Sequence, residues 1–169
     1  MRKFINLSKD RQKELTSKFP ELYKIYCVEE SSHYTKVAIS VFDHWLTREE
    51  FQNDSPSKDE HFKRNRALHS FGKLMATQTE VFDFKFKGKW ERCYPCFRKF
   101  SSKKAMFEYL QPADDNYSSG RFFNLVLPEF NAVYFESWDY TNIFYIQNDS
   151  VLSEIKKWAS ESGVYCLEY

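Results

Sequence analysis

Between Phe82 and Tyr94 the apolar residues recur every second position, and this change of period constrains the fold more than any other feature of the chain. Phe82, Phe84 and Phe86 alternate with Asp83, Lys85 and Lys87. Gly88 offers a turn, and Trp90, Arg92 and Tyr94 resume the alternation. A period of two aims alternate side chains at one face of an extended strand. The segment therefore predicts a hairpin with one buried face, and places Asp83 and Lys85 on its wet face.

On either side the period changes. From Asp59 to Gln78, Leu68, Phe71 and Met75 form a helical stripe flanked by Phe62 and Leu74. Upstream, Ser8 reads as the cap of a helix that ends at Phe19-Pro20, and Leu22, Ile25 and Tyr26 fit a second short helix. Residues 34–42 read as a strand, and Asp43 as the cap of a helix from His44 to Gln52. Ser101 or Ser102 caps a helix from Lys103 to Leu110, followed by a polar loop over 113–120. Phe122–Leu127, Ala132–Glu136 and Asn142–Gln147 are three aromatic-rich strands with short connections, which implies an antiparallel meander. A helix over 150–162 with Leu152, Ile155 and Trp158 on one face, ended by Gly163, precedes a closing strand from Val164. The expected fold class is α+β: a mostly antiparallel sheet with a C-terminal β-meander, flanked by four or five helices.

A chain of 169 residues with 17 Phe, 11 Tyr and only 4 Gly has ample material for one core. It is expected to form a single globular domain over 1–169, with a flexible loop near 53–59 at Asn53-Asp54-Ser55-Pro56-Ser57. No run approaches the ~20 apolar residues of a membrane span. The N-terminal apolar stretch, Phe4 to Leu7, is too short for a signal-peptide core, so no membrane partner and a cytoplasmic location are expected.

Charge is unevenly spread. The whole chain carries a net +1, but residues 61–104 hold 12 Lys+Arg against 3 Asp+Glu, and residues 105–169 hold 3 against 10. Such a split speaks of partners rather than of fold. In the acidic third, Glu129, Tyr134, Glu136, Trp138, Asp139 and Tyr140 combine carboxylates with aromatics, the mixture that steers and then holds a basic protein partner. In the basic third, Lys63, Arg64, Arg66, Lys85, Lys87, Lys89, Arg92, Arg98, Lys99, Lys103 and Lys104 form an alternative surface for nucleic acid, provided that they converge.

Signals for reaction chemistry are weak. Cys93-Tyr94-Pro95-Cys96 has the spacing of a metal or redox pair, but no second pair supplies the remaining zinc ligands. Reduced, metal-free thiols are expected there. His61 and His69 lie eight apart on one helix, too far for a metal pair. Glu80 and the Asp83-Phe84-Lys85 run have the residue types of a metal-dependent nuclease strand, though half-buried strands carry the same pattern. There is no phosphate-binding glycine loop and no nucleophile elbow. No catalytic residue, no metal ligand and no cofactor is expected.

In its size, in the lack of a signal-peptide core and of catalytic signatures, and in the stretch from Glu129 to Tyr145, the chain resembles bacterial immunity proteins, which neutralise a cognate toxin domain in the cytosol. The resemblance implies a non-catalytic protein-binding module: an inhibitor that engages a basic toxin or nuclease domain through an acidic–aromatic surface. Immunity proteins share no single signature, so it transfers no individual residue. The alternative is a nucleic-acid-binding protein or nuclease using residues 61–104.

Overall fold

The computed structural model describes residues 3–89, 92–112 and 122–169. Helices cover both faces of one eight-stranded sheet. In chain order the strands are β1 (Phe4–Asn6), β2 (Thr35–Ser40), β3 (Phe82–Lys87), β4 (Tyr94–Phe100), β5 (Asn124–Leu127), β6 (Ala132–Phe135), β7 (Thr141–Ile146) and β8 (Tyr165–Glu168). The helices are α1 (Lys9–Lys18), α2 (Leu22–Tyr26), α3 (Arg48–Asn53), α4 (Lys58–Gln78), α5 (Lys103–Tyr109) and α6 (Leu152–Ser162). The sheet order is β1-β4-β3-β5-β6-β7-β2-β8, and each pairing is antiparallel. The fold is thus α+β with the expected meander, β5-β6-β7, at its centre.

The alternation within each strand divides the apolar residues between two cores. Tyr134, Phe144, Leu125 and Val37 point to the face covered by α4, α5 and α6, where they meet Phe71, Met75, Leu110, Ile155 and Trp158. Val133, Tyr145, Val126, Phe84 and Phe97 point to the other face and meet Leu15, Phe19, Leu22 and Ile25 of α1 and α2. Aromatic contacts reinforce the first core: Tyr134 stacks on Phe144 at 4.4 Å between centroids, and Phe71 meets both rings.

Local signals fix most element ends. The side chain of Ser8 accepts from Arg11 N, that of Ser57 from Glu60 N and that of Ser102 from Ala105 N, each at a helix start. Gly163 closes α6 in the left-handed region at φ 72°. Gly88 has φ 102°, and a Cβ there would run into the Arg92 carbonyl, so the β3–β4 connection requires glycine.

Several expectations are corrected. The helix expected from His44 starts at Arg48: Thr47, not Asp43, is its cap, and Thr47 and Glu50 close a reciprocal capping box. The loop expected over 53–59 contracts to residues 54–57, because α3 ends at Asn53 and α4 begins at Lys58. The second hairpin strand begins at Tyr94 and runs to Phe100, whereas Trp90 lies outside the described residues. Phe122 and Phe123 precede β5 rather than belonging to it. The polar loop at 113–120 also lies outside the described residues. Lys85 is exposed as expected, but Asp83 is only 1% exposed. It pairs with Arg98, its cross-strand neighbour, and accepts a hydrogen bond from Tyr109 on α5. An apolar–polar alternation signals one buried face; here the second face is covered as well, and its polar residue is satisfied internally.

Candidate functional site

Register decides which surface residues meet. Because β2 pairs with β7, Ser40 lies opposite Thr141, and their hydroxyls are 2.9 Å apart. The chain leaving β2 is then tied to the β6–β7 turn by Val41 N donating to the Tyr140 carbonyl at 3.2 Å. This places Phe42, His44, Trp45 and Leu46 beside Asp139 and Tyr140. The N-terminal part of α4 completes the corner. Arg64 forms ion pairs with Asp54 (2.6 Å) and Glu60 (3.1 Å), and its guanidinium lies 5.0 Å from the ring centroids of both Phe42 and Tyr140. His61 Nδ1 and Tyr140 Oη are hydrogen-bonded at 2.7 Å. Tyr140 has a φ of 55°, in the left-handed region that costs a non-glycine residue energy. The surrounding contacts hold it there.

The surface around this corner is both aromatic and acidic. Trp138 is 74% exposed and meets Phe122 edge-on at 4.6 Å. Phe62 is 62%, Phe51 56% and Trp45 44% exposed. Trp45 leans on Tyr169 and donates its indole N–H to the Glu168 carbonyl at 3.2 Å. Asp43, Glu49, Glu50, Asp54, Asp59 and Glu60 fall between residues 43 and 60, against Arg48 and Lys58 alone; the β6–β7 turn adds Glu136 and Asp139. A groove of about 330 Å³ runs between Phe42, Trp45, Leu46, Phe51, Asp139 and Leu167. A wider depression of about 590 Å³, bordered by Glu49, Glu50 and Asp54, shares Phe42 and Leu46 with it.

The ionisable groups here are not equivalent. His44 sits between Asp43 (2.6 Å) and Glu50 (3.2 Å), whose hydrogen bonds push its pKa up. Hydrogen bonds from the Thr47 backbone and hydroxyl, then from His44, pull the Glu50 pKa down. Asp139 shifts the other way: burial pushes its pKa up against hydrogen bonds from backbone N–H groups.

Of the six acidic-third residues singled out in the sequence, Trp138, Asp139 and Tyr140 lie at this corner, while Glu136, two residues before Trp138, accepts with its carboxylate from Phe123 N at 3.1 Å. The remaining two do not reach it. Glu129 lies in the turn between β5 and β6, at the other end of β6, where its carboxylate accepts from Thr79 Oγ1 (2.6 Å) and Glu80 N (3.1 Å). Tyr134 is 0% exposed and takes a hydrogen bond from Asn142 inside the core, so it cannot touch a partner. Strand alternation puts Tyr134 and Glu136 on one face, but α4 covers that face at Tyr134. Sequence reasoning missed Phe42, Trp45, Phe51 and Phe62. Their only local signal is the Thr47-x-x-Glu50 capping box, which places α3; the partners of Trp45 are Glu168 and Tyr169, at the far end of the sequence.

The basic residues lie on several elements. Lys63 and Arg66 lie exposed on α4, Lys85, Lys87, Lys89 and Arg92 on or beside the β3–β4 hairpin, Lys99 on β4, and Lys103 and Lys104 at the start of α5. Arg64 and Arg98 are spent on internal partners: Arg64 on Asp54 and Glu60, Arg98 on Asp83 and on the Phe4 ring at 4.0 Å. The Cys93–Cys96 spacing loses its premise as well. Tyr94 to Cys96 are strand residues, so the chain does not reverse between the two thiols, and both are free. His69 is occupied with the Phe107 carbonyl at 2.8 Å. No group of three or more potential ligands of a metal ion is present among the described residues. No helix among them is long and apolar enough to cross a membrane.

No protein-family model, no curated protein and no solved structure matches this chain.

Proposed function

We propose that this protein is a non-catalytic protein-binding module, an inhibitor of the immunity-protein kind, that engages a basic toxin or nuclease domain through the corner built by Trp138, Asp139, Tyr140, Trp45 and Phe51. One observation carries the reading: a tryptophan that is 74% exposed stands next to a half-buried aspartate, within a surface rich in carboxylates and exposed aromatics. Large exposed aromatics among polar neighbours mark interaction sites. Carboxylates around them raise the rate of encounter with a basic partner, while the aromatics govern how slowly it leaves. The left-handed Tyr140 supports the same reading, because strain held in place by neighbours gathers where function needs it.

The test is capture of partners from the native host by wild type, Trp138→Ala and Glu136→Lys. Wild type is expected to retain a basic protein that both variants lose. Equal retention by the variants would show that the surface is wrongly placed. If wild type instead holds RNA or DNA that salt releases, the exposed lysines of the β3–β4 hairpin and α5 become the functional surface.

A further inference from the structure

The groove beside Asp139 differs from the rest of the acidic surface. Asp54 and Glu60 are paired with Arg64, Asp43 and Glu50 are hydrogen-bonded to the His44 ring, and Glu49 and Asp59, without an ion pair among the described residues, are exposed. Asp139 is half-buried, and among the described residues no Lys, Arg or His nitrogen lies within 4.0 Å of its carboxylate. Arg48 lines the same groove, yet it leaves Asp139 unpaired. The rest of the lining is mixed, aromatic and aliphatic at Phe42, Trp45, Leu46 and Phe51 and polar at His44 and Thr141.

We infer that this groove is a slot for one cationic side chain, an arginine presented by the basic protein partner, with Asp139 as counter-ion and Trp45 as the ring against which the guanidinium lies. The inference rests on the protein-binding reading above and specifies the chemistry of its anchor. A planar guanidinium can hydrogen-bond a carboxylate while stacking on an indole, which a lysine ammonium does less well. Its aliphatic stem suits the apolar walls. Burial that raises the Asp139 pKa in the free protein marks a carboxylate with which an incoming cation has the most to gain. The groove, of about 330 Å³, has the volume for a side chain but is open, so the slot takes a residue carried on a partner's surface.

A short capped peptide, Gly-Arg-Gly, and its citrulline counterpart provide the test, read by amide and indole NMR shifts of the full chain. Citrulline keeps the shape and removes the charge. The arginine peptide is expected to shift the Trp45 indole and the Asp139 and Thr141 amides saturably in the millimolar range. Asp139→Asn, checked for its melt, is expected to weaken that response at least about tenfold. Equal shifts with citrulline, an unchanged response in Asp139→Asn, or no response overturns the slot. The two readings fail separately. A captured partner that survives Asp139→Asn but is lost with Trp138→Ala overturns the slot alone. Arginine-specific shifts in a protein that captures no partner overturn the protein-binding reading alone.

Discussion

The Tyr109 hydroxyl donates a 2.6 Å hydrogen bond to Asp83 Oδ1 and so ties the end of α5 to the third strand of the sheet. Arg98 meets the other carboxylate oxygen through Nε at 2.6 Å and lies over the Phe4 ring. Four elements, β1, β3, β4 and α5, therefore share one buried polar knot. Arg98→Ala should cost about 3–5 kcal/mol, because it leaves Asp83 charged and unpaired. Tyr109→Phe removes only one hydrogen bond to a charged acceptor and should cost about 1.5–3 kcal/mol. Urea melts of the two variants check the order; a larger loss in Tyr109→Phe would contradict it.

The same knot makes a pH prediction. Burial holds the Asp83 pKa above its ordinary 3.8, against opposing contributions from Tyr109 and Arg98. For an acid whose folded pKa is raised, folding favours the protonated form. Its contribution is fully present below the unfolded pKa and is lost as pH rises through the folded value. The stability of wild type minus that of Asp83→Asn should therefore decline as pH is raised from about 3.8. A difference that grows with pH would mean that the ion pair with Arg98 outweighs desolvation.

Trp158 is 1% exposed, packs edge-on against Phe130 at 5.0 Å, and its buried indole N–H has no hydrogen-bond partner among the described residues. Trp158→Ala should cost about 3–5 kcal/mol as a core truncation. Trp158→Phe also removes the unsatisfied donor, so its loss should stay below about 2 kcal/mol. Denaturant melts of both variants decide the point; a Trp158→Phe loss above about 2 kcal/mol would show that the donor is satisfied in solution.

Tyr134 and Trp138 separate core from surface within five residues. Tyr134→Ala should cost about 3–5 kcal/mol of stability. Trp138→Ala should change stability by no more than about 0.5 kcal/mol. Thermal melts set beside partner capture test the pair: Trp138→Ala is expected to lose the partner while keeping its melting temperature.

What the sequence reveals follows the range of the interactions involved. Helix α4, the meander and α6 repeat their pattern over several turns or strands, so they can be read directly. Strand β1 has three residues, Phe4 to Asn6, too few to show a period. Trp90 and Arg92 continue the alternation of β3 and draw the second hairpin strand toward themselves, although the paired residues run from Tyr94 to Arg98. Asp83 looks solvated because its partners stand 15 and 26 residues away. The site behaves alike. Trp138 to Tyr140 are visible as an acidic–aromatic turn, but Phe42 and Trp45 join them only through the pairing of β2 with β7, which no local pattern announces. Thr47 and Glu50 are the exception, since the capping box was there to be read.

The insertion of β2 between β7 and β8 sets a timetable for synthesis. Ser40 meets Thr141 across 101 residues, and Val37 meets Glu168 still later. As the chain leaves the ribosome, β2 emerges before β7 and β8, with both edges open. It must remain unpaired until nearly all of the described chain has been made. Closing so long a loop before any strand contact rewards it makes this step slow. During that interval Thr35–Ser40, a strand that leaves Val37, Ala38 and Ile39 uncovered, is a segment in need of a chaperone.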